Sequence, residues 1–193
     1  IILAGSAAWA NIEAIFYGFD RFSSEKLPNL HCPVFMTRNE TAKVSVRVKN
    51  NTDKPVQPYV RINMSSPLTM VSSGSNLPLE VRETRKLEWQ VDSKNIDLGF
   101  FIFAQVLSYP EYQMPMKEAT CGILVLPISF LTGTQVFVGL FIICAVCFWI
   151  GFKQWGTRNE PASSRLKQVQ NAMRFISVVI VVGSIASFLG LWG

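Results

Sequence analysis

The sequence has a single histidine, His31, among its 193 residues, and it lacks the short motifs that many enzymes carry. It contains no glycine-rich phosphate loop, no dinucleotide-binding fingerprint and no HExxH zinc motif. A Ser-His-Asp triad is not defensible when the one histidine stands beside a cysteine that we expect to be oxidised. We therefore expect a protein that is not an enzyme and has no cofactor. Catalysis is left open only for a site shared with another subunit.

Charged residues are absent from two long stretches near the carboxyl end. The first, SFLTGTQVFVGLFIICAVCFWIGF, runs from Ser129 to Phe152, and the second, FISVVIVVGSIASFLGLW, runs from Phe175 to Trp192. About 20 apolar residues are enough for an α-helix to cross the roughly 30 Å hydrocarbon core of a bilayer. The pattern predicts a helical hairpin in a membrane, with helices over residues 128–152 and 175–193.

The segment between these predicted helices, residues 153–174, is strongly basic. It carries five basic residues against Glu160 alone, which gives it a local charge of +4. An excess of Lys and Arg in a short loop marks the cytoplasmic side of a bilayer, where each favours anionic lipid by about 1 kcal/mol. We expect a cytoplasmic loop on the lipid bilayer, no nucleic acid partner, and a large domain on the outer side. The basic residues are Lys153, Arg158, Arg165, Lys167 and Arg174.

Residues 1–19 are apolar apart from Asn11 and Glu13, and they predict a further helix. A membrane-spanning helix is the first interpretation, while a signal-peptide remnant and an interfacial helix remain open. In a spanning helix, Phe16, Tyr17, Phe19 and Phe22 would lie at the outer interface. Glu13 would then lie close to that interface or be paired inside a complex. The polar residues 20–29 are interpreted as a linker.

Hydrophobic residues recur with a period of two between the linker and the first predicted membrane helix. Ala42–Lys49 alternates strictly, and a later stretch places Leu87, Trp89 and Val91 on one face. Gly99–Leu107 is almost continuously apolar, which indicates a central strand covered on both faces. The predicted strands are 42–49, 59–64, 79–81, 85–91, 99–107 and 119–126, and residues 71–78 are predicted to form a loop.

Roughly seven short strands without helical periodicity indicate an antiparallel β-sandwich over residues 30–127. With the strand and turn AKVSVRVKNNTDKPV and the later strand pair LEVRETRKLEWQVD, the stretch from Thr41 to Leu107 resembles an immunoglobulin-like domain of cell-surface and periplasmic proteins. The resemblance is one of fold and covers the middle half of the chain. It implies an all-β ectodomain on a membrane anchor of α-helices.

The four cysteines divide by position. Cys32 and Cys121 bracket the predicted domain and have the placement for one disulfide in an oxidising compartment, with two free thiols or metal ligation as alternatives. The antibody-type bond between sheets is not implied, because Cys32 precedes the first clear strand and Cys121 lies in the last one. A bond between the first and last strands fits better. Cys144 and Cys147 lie within the predicted membrane helix and are expected to be buried or lipid-facing thiols.

A copper site is a weaker hypothesis. His31 stands beside Cys32, and Met114 and Met116 flank a proline; imidazole and thioether groups suit Cu(I). A solvated histidine and methionines that cover the edge of a core explain the same residues. We expect no metal site and keep these three residues as the alternative.

Small residues recur at spacings of four in the predicted membrane helices. Such spacing lets helices approach closely in lipid, and a polar side chain within a span can hydrogen-bond across the same interface. Packing within the hairpin and packing against a separate subunit remain equal alternatives. The positions are Gln135, Gly139, Gly183, Ala186, Ser187 and Gly190. Three sequons for N-glycosylation also occur, at Asn39, Asn50 and Asn63.

These features predict a multi-pass membrane protein whose sandwich lies on the periplasmic, extracellular or lumenal face. The leading hypothesis is a non-catalytic accessory or assembly subunit of a larger membrane protein complex, whose domain covers or clamps partner subunits. It depends on the lack of a catalytic set and on a cytoplasmic part too small for a signalling domain. A free-standing receptor or adhesion protein is the alternative, and a copper-handling periplasmic domain is the third.

Overall fold

A computed structural model describes residues 2–19, 25–109, 116–157, 171–172 and 175–183. The chain begins with helix α1, Ile2–Phe16, and eight strands precede the long helix α2, Gly133–Thr157. A 3₁₀ turn lies at Ser93–Asn95, and residues 175–183 are also helical. The strands are β1 Glu25–Lys26, β2 Phe35–Thr37, β3 Ala42–Lys49, β4 Tyr59–Ser66, β5 Thr69–Asn76, β6 Thr84–Val91, β7 Phe101–Tyr109 and β8 Lys117–Leu126.

The strands form two sheets that share one core. In the larger sheet the order is β1-β8-β7-β4-β5, with β2 also paired to β8, and the smaller sheet consists of β3 and β6. The pairs are antiparallel except that β1 and β2 both run parallel to β8. The prediction of a predominantly β fold in the form of a sandwich is confirmed.

Strand β3 shows how the alternating pattern builds the core. Val44, Val46 and Val48 are buried between the sheets, while Arg47 and Lys49 are exposed. Each buried valine contributes about 1.5–3 kcal/mol through removal of its surface from water. The predicted bounds of this strand, 42–49, are those of the structure.

Strand β7 is covered on both faces, as its apolar run predicted. Ile102 and Val106 belong to the core between the sheets, whereas Phe101 and Phe103 belong to a second cluster on the outer face of the larger sheet. Helix α1 supplies the other side of that second cluster. The sandwich is therefore three layers thick at this strand.

Helix α1 packs on the domain, and its placement as a membrane-spanning helix stays a prediction. Ala10 and Ala14 are completely buried in the second cluster. The side-chain oxygen of Asn11 accepts a hydrogen bond from the main-chain N–H of Gly122 in β8, at 2.9 Å. Glu13 accepts a hydrogen bond from the indole N–H of Trp9 at 2.8 Å.

The aromatic residues after α1 also lie on the sandwich. Tyr17 and Phe19 both contact the ring of Phe103, with centroid distances of 5.2 and 5.7 Å. The Tyr17 hydroxyl donates a hydrogen bond to Asp97 Oδ2 at 2.6 Å. Phe19 is buried against the sandwich, but Phe16 is 82% exposed and Phe22 lies outside the described residues. The predicted position of these aromatic residues at an outer membrane interface stays a prediction.

The predicted loop over residues 71–78 is wrong, since Thr69–Asn76 forms strand β5. All eight residues of β5 are exposed, so the strand has no buried face that an alternating pattern could reveal. The two-residue turn Pro67-Leu68 joins it to β4. The strand predicted at 79–81 is reduced to a single bridge between Val56 and Leu79.

Part of the predicted linker belongs to the domain. Strand β1 pairs with the start of β8, and Leu27 and Leu30 are buried in the core, while residues 20–24 lie outside the described residues. His31 then pairs with Ser45 in the smaller sheet before β2 returns to β8 in the larger one. This segment therefore joins the two sheets.

The predicted disulfide between Cys32 and Cys121 is present, with a Cα–Cα distance of 6.6 Å and a sequence separation of 89. It links the segment between β1 and β2 to β8, so the first and last parts of the domain lie side by side as expected. Closing a loop of this length stabilises a domain by about 4 kcal/mol in the chain-entropy description. Cys144 and Cys147 are free and exposed on α2.

Within the described residues, one helix is long and apolar enough to cross a membrane. This segment is Gly133–Gly151 of α2, with a mean hydropathy of 2.2. The helix begins five residues later than the predicted 128, because residues 127–132 form a loop. The predicted second span is described only over 175–183, so the multi-pass arrangement stays a prediction.

Candidate functional site at the base of helix α2

The first turn of α2 is capped from two directions. Thr132 and Gln135 form a capping box: the Gln135 side chain accepts from the Thr132 N–H at 2.9 Å, and the Thr132 hydroxyl accepts from the Gln135 N–H at 3.2 Å. The Glu40 carboxylate accepts from the Gly133 N–H at 2.7 Å. A carboxylate at this position also interacts favourably with the helix dipole.

Glu40 connects α2 to the sandwich because it is itself held by β2. The same Glu40 oxygen accepts hydrogen bonds from the main-chain N–H of Thr37 at 3.0 Å and from its hydroxyl at 3.3 Å. The cap is therefore made by the domain and not only by the helix. This arrangement fixes the start of the apolar helix relative to the larger sheet.

Gly133 permits a close approach between α2 and β2. A Cβ atom at this position would overlap the main-chain carbonyl of Phe35. One turn later, the buried ring of Phe137 lies 6.2 Å from the ring of Phe35. Leu140 and Phe141 extend this contact. By contrast, every side chain from Ile142 to Ile150 is exposed.

A groove of about 500 Å³ lies beside this contact. Phe35 and Phe137 contribute apolar surface, and His31, Glu40 and Lys43 contribute one imidazole, one carboxylate and one ammonium group. The groove is thus lined by both apolar and charged side chains.

The structure separates the residues of the copper hypothesis. His31 lines the groove, Cys32 is oxidised, and Met116 directly precedes β8, about 17 Å along the strand from Cys121 at roughly 3.3 Å per residue. Met114 lies outside the described residues. Within the described part of the chain, no three residues among His, Cys, Asp and Glu lie close enough to hold a metal ion.

The structure describes only some of the residues predicted to pack helices together, and it gives them different contacts. Gln135 caps its own helix through its side-chain oxygen, and its predicted role as a contact across an interface stays a prediction. A Cβ atom at Gly139 or Gly183 would meet no other atom within 4 Å, so neither glycine makes a close helix contact in the described ranges. Ala186, Ser187 and Gly190 lie outside the described residues.

Of the five basic residues in the predicted loop, Lys153 alone is described. Its ammonium group lies 5.5 Å from the centre of the Trp149 ring, close enough for a cation–π interaction. Arg158, Arg165, Lys167 and Arg174 lie outside the described residues, so the surface role of this loop stays a prediction.

A chain of hydrogen bonds crosses four strands on the outer face of the larger sheet. Gln105 donates to Glu118 at 2.7 Å, Asn63 donates to Gln105 at 2.8 Å, and Ser72 donates to Asn63 at 2.8 Å. The first three of these side chains are buried. Buried polar groups are costly when unpaired, so this chain of contacts favours one strand register over its neighbours.

The asparagines of the three sequons differ in their exposure to solvent. Asn39 is exposed, but Asn63 is buried in the hydrogen-bond chain just described. Asn50 is buried as well, and its amide donates to the carbonyl oxygens of Lys54 and Glu80 at 2.8 and 2.9 Å. Only Asn39 among the three presents its side chain to an enzyme in the folded domain.

Glu88 and Tyr17, which both lie outside α2, have shifted pKa values. Hydrogen bonds from Lys86 and Lys43 lower the pKa of the Glu88 carboxyl to about 2. The hydrogen bond to Asp97 raises the pKa of Tyr17, and partial burial and the Asp97 charge act in the same direction. Glu88 connects β6 to β3, and Tyr17 connects the segment after α1 to the loop before β7.

Sequence reasoning missed the residues that join the helices to the sandwich. Glu40, Gly133, Gly122 and Asn11 act across long sequence separations, 93 residues for Glu40 with Gly133 and 111 for Asn11 with Gly122. The Thr-x-x-Gln pattern at Thr132 is the one local signal, since it is typical of a helix start.

No known protein family matches the chain, and no curated protein matches its sequence. Among solved structures, the chain is similar to the CARDB domain, an immunoglobulin-like domain, of a Pyrococcus furiosus protein in complex with two metal ions. The identity is 16% and the TM-score 0.39, over 51% of this chain and 84% of that one. This likeness concerns the fold alone.

Other similar structures are parts of enzymes. A β-glucuronidase from Bacteroides uniformis is 11% identical with a TM-score of 0.38, over 46% of this chain and 12% of that one. A β-glucosidase from Listeria innocua is 14% identical with a TM-score of 0.40, over 54% and 16%. The chain thus spans less than a fifth of the length of these enzymes.

These enzymes contradict the expectation that a chain of this kind is not an enzyme, because they contain domains with a similar fold. We withdraw that expectation. The low identity and TM-score carry none of their activities over to this chain.

Proposed function

We propose that this protein is a membrane-anchored accessory or assembly subunit of a larger protein complex. Helix α2 anchors it in the bilayer, and the sandwich contacts neighbouring subunits on the outer, oxidising side. The observation that carries the proposal is the exposed edge of β5. The contacts between the sandwich and the base of α2, and the open space beside Gly139 and Gly183, support it.

Strand β5 offers an open edge of main-chain groups. In the described ranges it pairs only with β4, and its sequence TMVSSGSN contains no charge and no proline. Natural edge strands are normally protected by lysine, proline, bulges or short length. An eight-residue edge without these features is suited to pair with an extended strand of a partner.

The register identifies which groups of β5 face outward. The two-residue turn pairs Ser66 with Thr69, and hydrogen-bonded pairs alternate from there along the hairpin. The main-chain groups of Met70, Ser72 and Gly74 therefore point away from β4. A partner strand would bond to these alternate residues.

Contacts at the base of α2 hold the edge strand β5 in a defined position relative to the helix. The Glu40 cap and the Phe35–Phe137 contact hold the helix against the same sheet that ends in β5. Gly139 and Gly183 leave space for the backbone of another helix, as small residues do at helix interfaces in lipid. Contacts outside and inside the membrane would then involve the same partner complex.

The test is purification of the tagged full-length protein from its native membrane in a mild detergent, followed by native electrophoresis and mass spectrometry. We expect fixed partners at constant stoichiometry. The variant Met70→Pro removes one outward N–H without breaking the β4 pairing, and it should lose those partners. The matched variant Met70→Ala keeps the N–H and should retain them.

Two results would overturn the proposal. Migration of the wild-type protein alone or as a homo-oligomer would favour the free-standing receptor or adhesion protein. Equal recovery of partners with Met70→Pro and Met70→Ala would show that β5 is not the contact.

A further inference from the structure

The strand registers assign each loop of the sandwich to one of two ends. Phe101 at the start of β7 is paired with Leu124 near the end of β8, so both lie at the end where the chain enters α2. Strand β4 runs antiparallel to β7, with Met64 opposite Ala104, so the β4–β5 turn lies at this end too. We call it the α2 end.

Exposed apolar side chains collect at the α2 end. Leu68 in the β4–β5 turn is 93% exposed and Phe130 in the β8–α2 loop is 82% exposed. Leu98 and Phe100 precede β7, and Leu131 precedes α2; all three are exposed. We call these five residues the apolar rim: Leu68, Leu98, Phe100, Phe130 and Leu131.

Two leucines of the rim occupy a backbone conformation that leucine rarely adopts. Leu68 has φ of 63° and Leu98 has φ of 51°. A residue other than glycine in this region costs about 1–2 kcal/mol, and glycine or asparagine would normally stand there. The presence of a large exposed apolar side chain at both positions indicates that the side chain itself is used.

The opposite end of the sandwich is charged. Asp53 and Arg82 form an exposed ion pair at 3.2 Å in neighbouring loops there, and Glu83 and Arg85 form another at 2.8 Å. Val81 is the one large exposed hydrophobic residue in these loops within the described ranges. The described loops at this end are therefore more polar than those at the α2 end.

The length of α2 sets the depth of the rim. Residues 133–152 carry no charge, and Lys153 follows. Twenty helical residues span about 30 Å, which is the thickness of the hydrocarbon core. If Lys153 marks the inner boundary, the outer boundary lies at Gly133. Gly133 is in contact with Phe35 and thus with the sandwich itself.

We propose that the apolar rim inserts into the outer interface of the lipid bilayer, so that the sandwich rests on the membrane with its α2 end partly embedded. The inference rests on the proposed membrane anchoring by α2. It adds a lipid-binding surface on the domain, continuous with the helix. Exposed Arg38 and Lys94, at the same end, are placed to contact lipid phosphates.

The experiment uses nitroxide labels on the full-length protein in nanodiscs of phosphatidylcholine and phosphatidylglycerol, without any partner. Cys144→Ser and Cys147→Ser remove the free thiols, and the Cys32–Cys121 disulfide is kept. Separate variants carry Leu68→Cys or Leu98→Cys in the rim. Val81→Cys is the matched control at the charged end, and Val146→Cys is the control within α2.

Collisions with oxygen report lipid, and collisions with a water-soluble nickel chelate report water. We expect labels at 68, 98 and 146 to lose most of the nickel accessibility that the label at 81 shows. Phe130→Cys supplies a second rim position if a positive-φ variant fails to fold.

The outcomes separate the two proposals. If the label at 146 lies in lipid while the rim labels are as accessible to nickel as the label at 81, the rim inference is wrong and the anchoring stands. If the label at 146 is also accessible to nickel, both are wrong. Recovery of partner subunits is measured separately and does not depend on either result.

Discussion

The Glu40 carboxylate and the Gly133 main-chain N–H, 93 residues apart in sequence, form a 2.7 Å hydrogen bond that joins the sandwich to helix α2. Glu40 also accepts a hydrogen bond from the main-chain N–H of Thr37 at the end of β2. The helix start is therefore held in a fixed position relative to β2. Here the domain provides part of the helix cap.

Replacement of Glu40 should weaken this connection. We expect Glu40→Ala to lower the free energy of unfolding by about 1–2 kcal/mol, because it removes a helix cap and a favourable charge at the helix start. Urea unfolding of the full-length protein in detergent measures the change. Arg38→Ala, at an exposed neighbouring position, is the control and should change stability by less than about 0.5 kcal/mol.

Two glycines of α2 should respond differently to the same substitution. Gly133→Ala forces a Cβ against the Phe35 carbonyl and should cost about 1–3 kcal/mol. Gly139→Ala meets no atom within 4 Å and should be neutral or stabilise the isolated subunit by up to about 1 kcal/mol. Equal unfolding midpoints for both variants would contradict the close approach of α2 to β2.

The contact between α1 and β8 can be tested in the same way. A Cβ at Gly122 would overlap the carbonyl of Ala10, whereas one at Gly5 in α1 meets nothing within 4 Å. We expect Gly122→Ala to release α1, with faster hydrogen exchange at Ala10 and Ala14 and a loss of about 1–3 kcal/mol. Gly5→Ala should leave exchange at these positions unchanged.

The carboxyl group of Glu88 should titrate at a much lower pH than that of an ordinary glutamate. Its pKa is lowered from 4.5 to about 2 by Lys86 and Lys43, whose ammonium groups lie 2.6 and 2.9 Å away. Because the folded-state pKa is the lower one, the contribution to stability is present above about pH 4.5 and disappears as the pH falls through about 2.

Carboxyl carbon NMR measures this titration directly. Lys86→Ala and Lys43→Ala should each raise the midpoint of Glu88 toward its usual value, with the larger shift for Lys86. A midpoint near 4.5 in the wild-type protein would show that these contacts do not persist in solution.

Local sequence patterns predicted the elements with a buried face. The alternation in β3 and the continuous apolar run of β7 both result from burial against the core, and both strands lie where expected. Strand β5 escaped prediction because hydrogen bonds to β4, rather than burial, hold it in place. A strand of two residues such as β1 carries too little sequence to show any period.

The base of α2 was only partly predictable for a different reason. Thr132 and Gln135 form a local pattern that indicates the helix start, but Glu40 is recognised as a cap only when β2 brings it to Gly133. Docking of α1 likewise depends on Gly122, whose neighbours in sequence give no indication of a helix above it. Such contacts follow from tertiary structure and have no local signature.

The pairing of β1 and β2 with β8 has a consequence for biosynthesis. These first strands find their partner only when the last strand, ending at Leu126, has left the ribosome, and α2 begins seven residues later. A topology dominated by such distant pairings folds slowly. If α2 anchors the protein as proposed, closure of the domain and insertion of α2 into the membrane overlap in time. A delay in closure would then leave strands β1 and β2 unpaired.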